Sequence, residues 1–296
     1  MFVFHAGIIS VVLSRVIARK RIPPAPDICK TPRKEIERRL TAIVETVYRL
    51  PVPLPVALLT DLHNHPFGAV GRSLAARRPE LICLAGDVFF GGLPGRDAPL
   101  VLTQKHVLPF LRLCAGIAPT FLSIGNHELT LREPDIALIR ETGVTLLDNA
   151  WARCRGVWVG GLTSHHALDY RLYREGKAEL YPVRGKIAHL ITEPETAWLD
   201  GFERLPGYKV LLSHHPEYYP KYLRGRDIDL ILSGHAHGGQ WRIGKQGIFA
   251  PGQGLFPKLT SGVHDGRLVI SRGLSNTAAP VPRLNNPTEI VYIEPA

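Results

Sequence analysis

Cysteine is scarce in this chain of 296 residues, and Cys29, Cys83, Cys114 and Cys154 are too widely scattered to form a C-x-x-C pair. That excludes a thiolate zinc module and argues against a disulfide framework; buried thiols in a reducing compartment are the expectation. Long apolar runs are missing as well. Met1 to Ser14 carries no acidic or strongly basic side chain, but Arg15 ends the run, short of the roughly 20 apolar residues that a spanning helix requires. It also lacks the basic start and small-residue cleavage site of a secretory signal. No internal repeat and no low-complexity segment is visible. Acidic residues are outnumbered, 26 Asp and Glu against 36 Lys and Arg, and the formal charge of +10 favours an anionic partner: nucleic acid, a phosphorylated small molecule or an acidic lipid surface. An aromatic-rich basic stripe of the base-stacking type is absent, so no specific nucleic acid is expected.

What is present begins with a basic N-terminal region. Arg15, Arg19, Lys20 and Arg21 follow the apolar start, so residues 1–14 read either as an interfacial helix with basic residues at the headgroups or as a helix packed on the domain. After Pro23, Pro24 and Pro26, Thr31 and Pro32 have the look of an N-cap and first helical residue. Ile36, Leu40, Ile43, Val44 and Val47 then fall at helical spacing, which predicts an amphipathic helix. Pro51, Pro53 and Pro55 mark the expected boundary between an N-terminal segment, residues 1–50, and a catalytic domain, residues 51–296.

From Val56 onward the pattern is strand, loop, helix, repeated. Val56 to Thr60 runs into Asp61-Leu62-His63, Leu81 to Ala85 into Gly86-Asp87, and Phe121 to Ile124 into Gly125-Asn126-His127-Glu128. Lys209 to Ser213 runs into His214-His215-Pro216, and Leu230 to Ser233 into Gly234-His235-Ala236-His237-Gly238-Gly239-Gln240. Helices are predicted between them, over Ser73 to Arg78 and Glu133 to Glu141. The alternation argues for an α/β architecture with largely buried strands, whose ligands gather at the carboxyl ends of the strands.

One Asp after a strand is a common turn residue, but five successive runs each deliver Asp, Asn or His at the same place. Asp61, His63, Asp87, Asn126, His214, His235 and His237 exceed what one transition ion takes from protein. Imidazole, carboxylate and amide oxygen without thiolate suit two divalent ions of the Mn, Fe or Zn type. Two such ions about 3.5 to 4 Å apart generate a hydroxide near neutral pH and clamp an in-line displacement at phosphorus.

With their order and spacing, Asp61-x-His63, Gly86-Asp87, Gly125-Asn126-His127-Glu128, a histidine after a strand and Gly234-His235-x-His237 resemble the motifs of the calcineurin-like metallophosphoesterases, over about Pro55 to Pro295. The Gly-His-Ala-His-Gly-Gly-Gln form, with Ala250 to Gly254 and Ser271 to Leu274, is similar to a YkuE-like bacterial branch whose members often carry a membrane-associating N-terminus. The resemblance implies a four-layer α-β-β-α sandwich of two mixed sheets flanked by helices, with both metals at one rim. It implies that Asp61, His63 and His237 hold the first ion, that Asn126, His214 and His235 hold the second, and that Asp87 bridges. His127 would face the scissile phosphate, stabilising charge or protonating the leaving oxygen. His214 is chosen over His215 because the family histidine stands two residues before proline; His215 is expected to contact substrate or be solvated. His65, His165 and His166 are expected to be loop histidines, Arg72 a surface residue at a helix start, and Glu128 an orienting group or a helix N-cap neighbour.

The expected activity is that of a phosphodiesterase or pyrophosphatase acting as a monomer on a phosphorylated small-molecule or lipid substrate. Its expected location is cytoplasmic, with peripheral contact at the inner face of an anionic membrane. The rival reading is a catalytically weak membrane-peripheral or nucleic-acid-binding protein that keeps the fold.

Overall fold

A computed structural model describes residues 43–91, 98–164, 193–276 and 282–296. In chain order the strands are β1 (Ile43–Leu50), β2 (Val56–Leu59), β3 (Leu81–Leu84), β4 (Thr120–Ser123), β5 (Thr145–Leu147), β6 (Ala150–Cys154), β7 (Val157–Leu162), β8 (Lys209–Ser213) and β9 (Leu230–Ser233). Two short ribbons follow, β10 (Arg242–Ile243) with β11 (Gln246–Gly247), and β12 (Phe249–Ala250) with β13 (Gly254–Leu255). The last three are β14 (Gly262–His264), β15 (Leu268–Ile270) and β16 (Thr288–Pro295). The helices are α1 (Gly68–Arg77), α2 (Val107–Ile117), α3 (Glu133–Arg140) and the short α4 (Leu199–Glu203).

Two six-stranded mixed sheets carry the fold, in the orders β1-β16-β2-β3-β4-β5 and β14-β15-β9-β8-β7-β6. In the first, β2 to β5 run parallel and β16 antiparallel to β2. In the second, β7, β8, β9 and β15 are parallel, with antiparallel strands at both edges. The two-residue period of a strand explains how they stack. Leu58, Cys83, Phe121, Val210, Leu212, Leu230 and Leu232 fill the space between the sheets. Their neighbours Ala57, Leu59, Ile82, Leu84 and Leu122 turn outward onto α1, α2 and α3, where Leu74, Phe110, Leu111 and Ile139 meet them. Leu211 and Ile231 likewise turn out to meet Leu199 and Phe202 of α4, with Tyr219 and Leu223. These are the expected layers, α-β-β-α, and the continuously apolar strands are those covered on both faces.

Three expectations are corrected. Ile43, Val44 and Val47 are not helical: they lie in β1, which runs parallel to β16 along all eight of its residues. Ile-Val-Glu-Thr-Val-Tyr is rich in β-branched residues and, from Val44 on, alternates half-buried with exposed positions, a strand period that the four-residue spacing of Ile36, Leu40 and Val44 obscured. The boundary at residue 50 therefore fails, because β1 is part of the first sheet; the compact unit runs Thr41–Ala296. The helix predicted at Ser73 to Arg78 begins five residues earlier, at Gly68. The remainder of the N-terminal segment, His165 and His166 lie outside the described residues. No helix among the described residues is long and apolar enough to cross a membrane.

Candidate metal centre

The carboxyl ends of β2, β3 and β4 in one sheet and of β8 and β9 in the other meet at one rim. Pairing continues past the strand ends, which locks the loops together: Asp61 N–H donates to Gly86 O (3.1 Å), His63 N–H to Asp87 O (3.1 Å) and Asn64 N–H to Val88 O (3.0 Å). Within the second sheet, Gly234 N–H donates to His214 O (3.0 Å), and across the sheets His235 N–H approaches both carboxylate oxygens of Asp61 (3.2 and 3.3 Å). Gly234 is required here. A Cβ would lie 2.3 Å from Thr60 Oγ1 and 2.6 Å from Asp61 Oδ2, so the two sheets approach this closely only through a glycine.

Six of the seven expected ligands share compact groups of donor atoms. Asp61, His63 and His237 form one, Asp61, Asp87 and His214 a second, His63, Asp87 and His127 a third, and His214, His215 and His235 a fourth, each within 4.8 Å. His214 Nε2 lies 3.1 Å from Asp87 Oδ2, His237 Nε2 3.4 Å from Asp61 Oδ1, and the Nε2 atoms of His63 and His237 are 3.3 Å apart. Asn126, the seventh, follows β4, and its Oδ1 is buried without a hydrogen-bond partner. An amide oxygen in that condition is costly unless something electropositive meets it.

The outer nitrogens fix how two of the rings are presented. His63 Nδ1 faces Phe89 O (3.1 Å) and His214 Nδ1 faces Ala85 O (2.7 Å). A carbonyl only accepts, so each Nδ1 carries a proton and each Nε2 is the atom turned to the centre, with its lone pair free at His63 and released at His214 when that ring gives up its second proton, the arrangement of metal-binding histidines. His237 Nδ1 lies 3.2 Å from Arg283 Nη2, whose two hydrogens go to Arg272 O and Ser275 O at 2.6 Å each.

Burial sets the charges. It lowers the His63 pKa to about 3, against the pull of Asp87. His235 and His237 are also held well below the ordinary value, by burial and by neighbouring histidines. All three are neutral, as a ligand must be. Burial raises Asp61 to about 6 although His214 opposes it. At His214 burial disfavours charge, but Asp87 and Asp61 override it and hold the pKa near 10; Asp87 is buried yet kept ionised chiefly by His214. In the metal-free protein a proton on His214 therefore stands where a cation would compensate the two carboxylates. Donor types, available lone pairs and the orphaned Asn126 oxygen all fit divalent metal.

Glu128 is fully buried and accepts backbone N–H bonds from Asp87 (2.9 Å), Val88 (2.7 Å), Phe89 (3.1 Å) and Gly125 (2.8 Å). It orients the Asp87 loop, as its place beside His127 suggested. His65 and Arg72 are exposed, as expected. His215 is not solvated: it is buried in the fourth donor group, with Nδ1 3.1 Å from Glu217 Oε1. Sequence reasoning missed Arg283 and Asn286. Asn286 Nδ2 donates to His237 O (2.7 Å) and Gln240 O (3.1 Å), holding the last histidine loop; neither residue stands in a spacing that marks metal chemistry.

The family model for calcineurin-like phosphoesterases matches residues 54–239, a span that contains every one of these donors. The chain belongs to that family. It is a metal-dependent phosphoester hydrolase, of a family that typically binds divalent metals. It is similar to the uncharacterized protein YpbG of Bacillus subtilis, 25% identical over 77% of this chain and 76% of that one. It is 28% identical to the phosphodiesterase YaeI of Escherichia coli over 67% of this chain and 66% of that one. A bovine transmembrane protein with a metallophosphoesterase domain is 27% identical over 68% of this chain, which spans 45% of its length.

Proposed function

We propose that this phosphoesterase cleaves a phosphodiester or pyrophosphate link with two divalent cations. Asp61, His63 and His237 would hold one, Asn126, His214 and His235 the other, and Asp87 would bridge them. One observation carries the reading: Asp61 and Asp87 each belong to two donor groups, so the carboxylates sit between the histidine sets. Ions of the Mn, Fe or Zn class held there would supply an activated water and charge compensation for an in-line displacement at phosphorus. The chain's own groups supply the rest. Asp87 Oδ1 accepts the His127 backbone N–H (2.9 Å), which ties the His127 loop to the bridging position. The His127 ring, one-fifth exposed with Nε2 3.7 Å from Asp87 Oδ2, faces the reacting phosphoryl group, stabilising its charge or protonating the leaving oxygen. YaeI bears the name of a phosphodiesterase, which favours a diester over a monoester.

Elemental analysis of the purified protein, followed by turnover of phosphomonoester, diester and pyrophosphate panels, tests this. About two ions per chain and preference for a diester or pyrophosphate are expected. Failure to retain Mn, Fe or Zn, or turnover of monoesters alone, overturns it. The apolar start at Met1 to Ser14 and the bovine relative's transmembrane description support peripheral contact with an anionic membrane. Co-sedimentation with anionic vesicles, with and without residues 1–30, tests that, and unchanged partitioning would dispose of it.

A further inference from the structure

His127 is presented in the opposite sense to His63 and His214. Their Nδ1 atoms face carbonyl oxygens, whereas His127 Nδ1 accepts the Gly91 backbone N–H at 2.6 Å. An amide nitrogen only donates, so His127 Nδ1 must offer its lone pair and the ring's proton must sit on Nε2, the atom on the Asp87 side. A second proton on Nδ1 would meet the Gly91 N–H head-on. The main chain that delivers this N–H is clamped: Phe90 N–H donates to Gln104 Oε1 (2.9 Å), Gln104 Nε2 donates to Phe90 O (2.8 Å), and Phe89 N–H donates to Glu128. Gln104 is itself buried. The approach leaves no room for a side chain, since a Cβ on Gly91 would lie 2.6 Å from His127 Nδ1 and 3.1 Å from its Cγ.

We infer that Gly91 is a positioning residue: its main-chain N–H engages His127 Nδ1 and so fixes the ring with Nε2–H directed at the reacting phosphoryl group, where His127 acts as a fixed hydrogen-bond donor and not as a proton donor. The inference rests on the phosphohydrolase reading and decides between the two roles that reading leaves to His127. A fixed N–H aimed at developing negative charge needs no proton transfer, and removing one such donor typically slows an enzyme about 10²- to 10³-fold.

The first test is spectroscopic and independent of turnover. Two-bond ¹⁵N–¹H correlation spectra of the full chain loaded with zinc should show His127 with Nδ1 unprotonated and Nε2 protonated; protonated Nδ1 overturns the inference even if the enzyme is active. The second uses zinc-loaded protein and aryl phosphodiesters of graded leaving-group acidity. His127→Ala should slow good and poor leaving groups by similar factors of about 10². His127→Gln, which keeps an N–H but cannot deliver a proton, should recover at least about tenfold of that loss. Gly91→Ala should keep its zinc and lose turnover as His127→Ala does, and the double variant should be no slower than His127→Ala alone, because residues acting through one group are not additive. If the Gln variant is as slow as the Ala variant and the loss grows as the leaving group becomes poorer, His127 donates a proton and the inference fails. If Gly91→Ala does not fold, the wild-type spectrum and the Gln rescue still decide it. Wild-type protein that takes up zinc but cleaves no phosphodiester or pyrophosphate would overturn the proposed function, and the spectrum would then judge the position of His127 alone.

Discussion

Gly234→Ala tests the meeting of the two sheets at the metal rim. The new Cβ would sit 2.3 Å from Thr60 Oγ1, 2.7 Å from Thr60 Cβ and 2.6 Å from Asp61 Oδ2, where ordinary contact begins at 3.4 Å. The shortfall of about 1 Å cannot be absorbed by a flexible side-chain tip, because Thr60 and Asp61 are both fully buried. Either the end of β9 withdraws from β2 or the Asp61 carboxylate turns away. Overpacking of this kind costs about 1–3 kcal/mol of stability, a loss the fold survives. The centre does not, since ligand distances tolerate only about 0.2 Å and a displacement near 1 Å costs about 10²-fold in rate. Elemental analysis, turnover of an aryl phosphodiester and urea denaturation, run in parallel, should therefore show a large loss of metal and activity beside a modest loss of stability. Gly225→Ala, where a Cβ meets nothing within 4 Å, is the control and should match wild type in all three. A Gly234→Ala protein with wild-type metal content and turnover would refute the claim that β2 and β9 must close to this distance.

Asp87→Asn should lower metal content and turnover together. In the metal-free state it should also cost about 3–5 kcal/mol, because His214, 3.1 Å away, keeps a buried charge without its partner; near wild-type metal and turnover would refute the bridging role. Glu128→Gln turns an amide NH₂ toward two of the four backbone N–H groups that the carboxylate accepts. Two orphaned donors cost about 2–6 kcal/mol, visible as a lower urea midpoint and lost if the variant unfolds like wild type. Metal uptake must expel the His214 proton, held with a pKa near 10, so affinity measured by chelator competition should rise about tenfold per pH unit from 7 toward 10. For the metal-free protein the sign reverses. A folded-state pKa raised above 6.5 contributes stability that is complete below about 6.5 and lost as pH rises through 10; the thermal midpoint of apo-protein should fall over that range, and a flat profile would contradict the His214–Asp87 pair.

The strands and donors were legible for one physical reason. A strand covered on both faces must be apolar throughout, so Leu81-Ile82-Cys83-Leu84 and Leu230-Ile231-Leu232 announce themselves, and the residue that ends each run announces the rim. Edge strands give no such signal. β1 is half solvated, and its Ile43, Val44 and Val47 satisfied a helical spacing as readily as a strand; only its pairing with β16, about 245 residues away, settles the matter. Motif reading also misses groups that act through the main chain or from afar. Glu128 was visible because it adjoins His127, whereas Gln104 clamps Phe90 from another segment and Asn286 reaches His237 across 49 positions. His215 shows the opposite failure: the spacing to proline singled out His214 and left its neighbour to solvent, yet both are buried in the same donor group.

Backbone conformation gives a reason why this rim suits cations and little else. Five of the seven expected ligands, Asp61, His63, Asp87, His235 and His237, have φ between 45° and 63°, the left-handed region that residues with a Cβ enter at a cost of order 1 kcal/mol or more each. Asp, Asn and His tolerate it better than most residues, so part of the selection for these types is conformational. That argument alone would accept asparagine at every one of the five positions. What asparagine cannot supply is an imidazole lone pair or a full carboxylate charge, and the arrangement uses both: neutral Nε2 atoms of His63 and His237 3.3 Å apart, beside two buried carboxylates. Without a cation the facing Nε2 atoms of His63 and His237 have only one hydrogen between them, and the buried negative charge is balanced chiefly by the proton on His214. A divalent ion relieves each of these at once, so the strain held by the two sheets in the loops is the cost of a site built for metal before metal arrives.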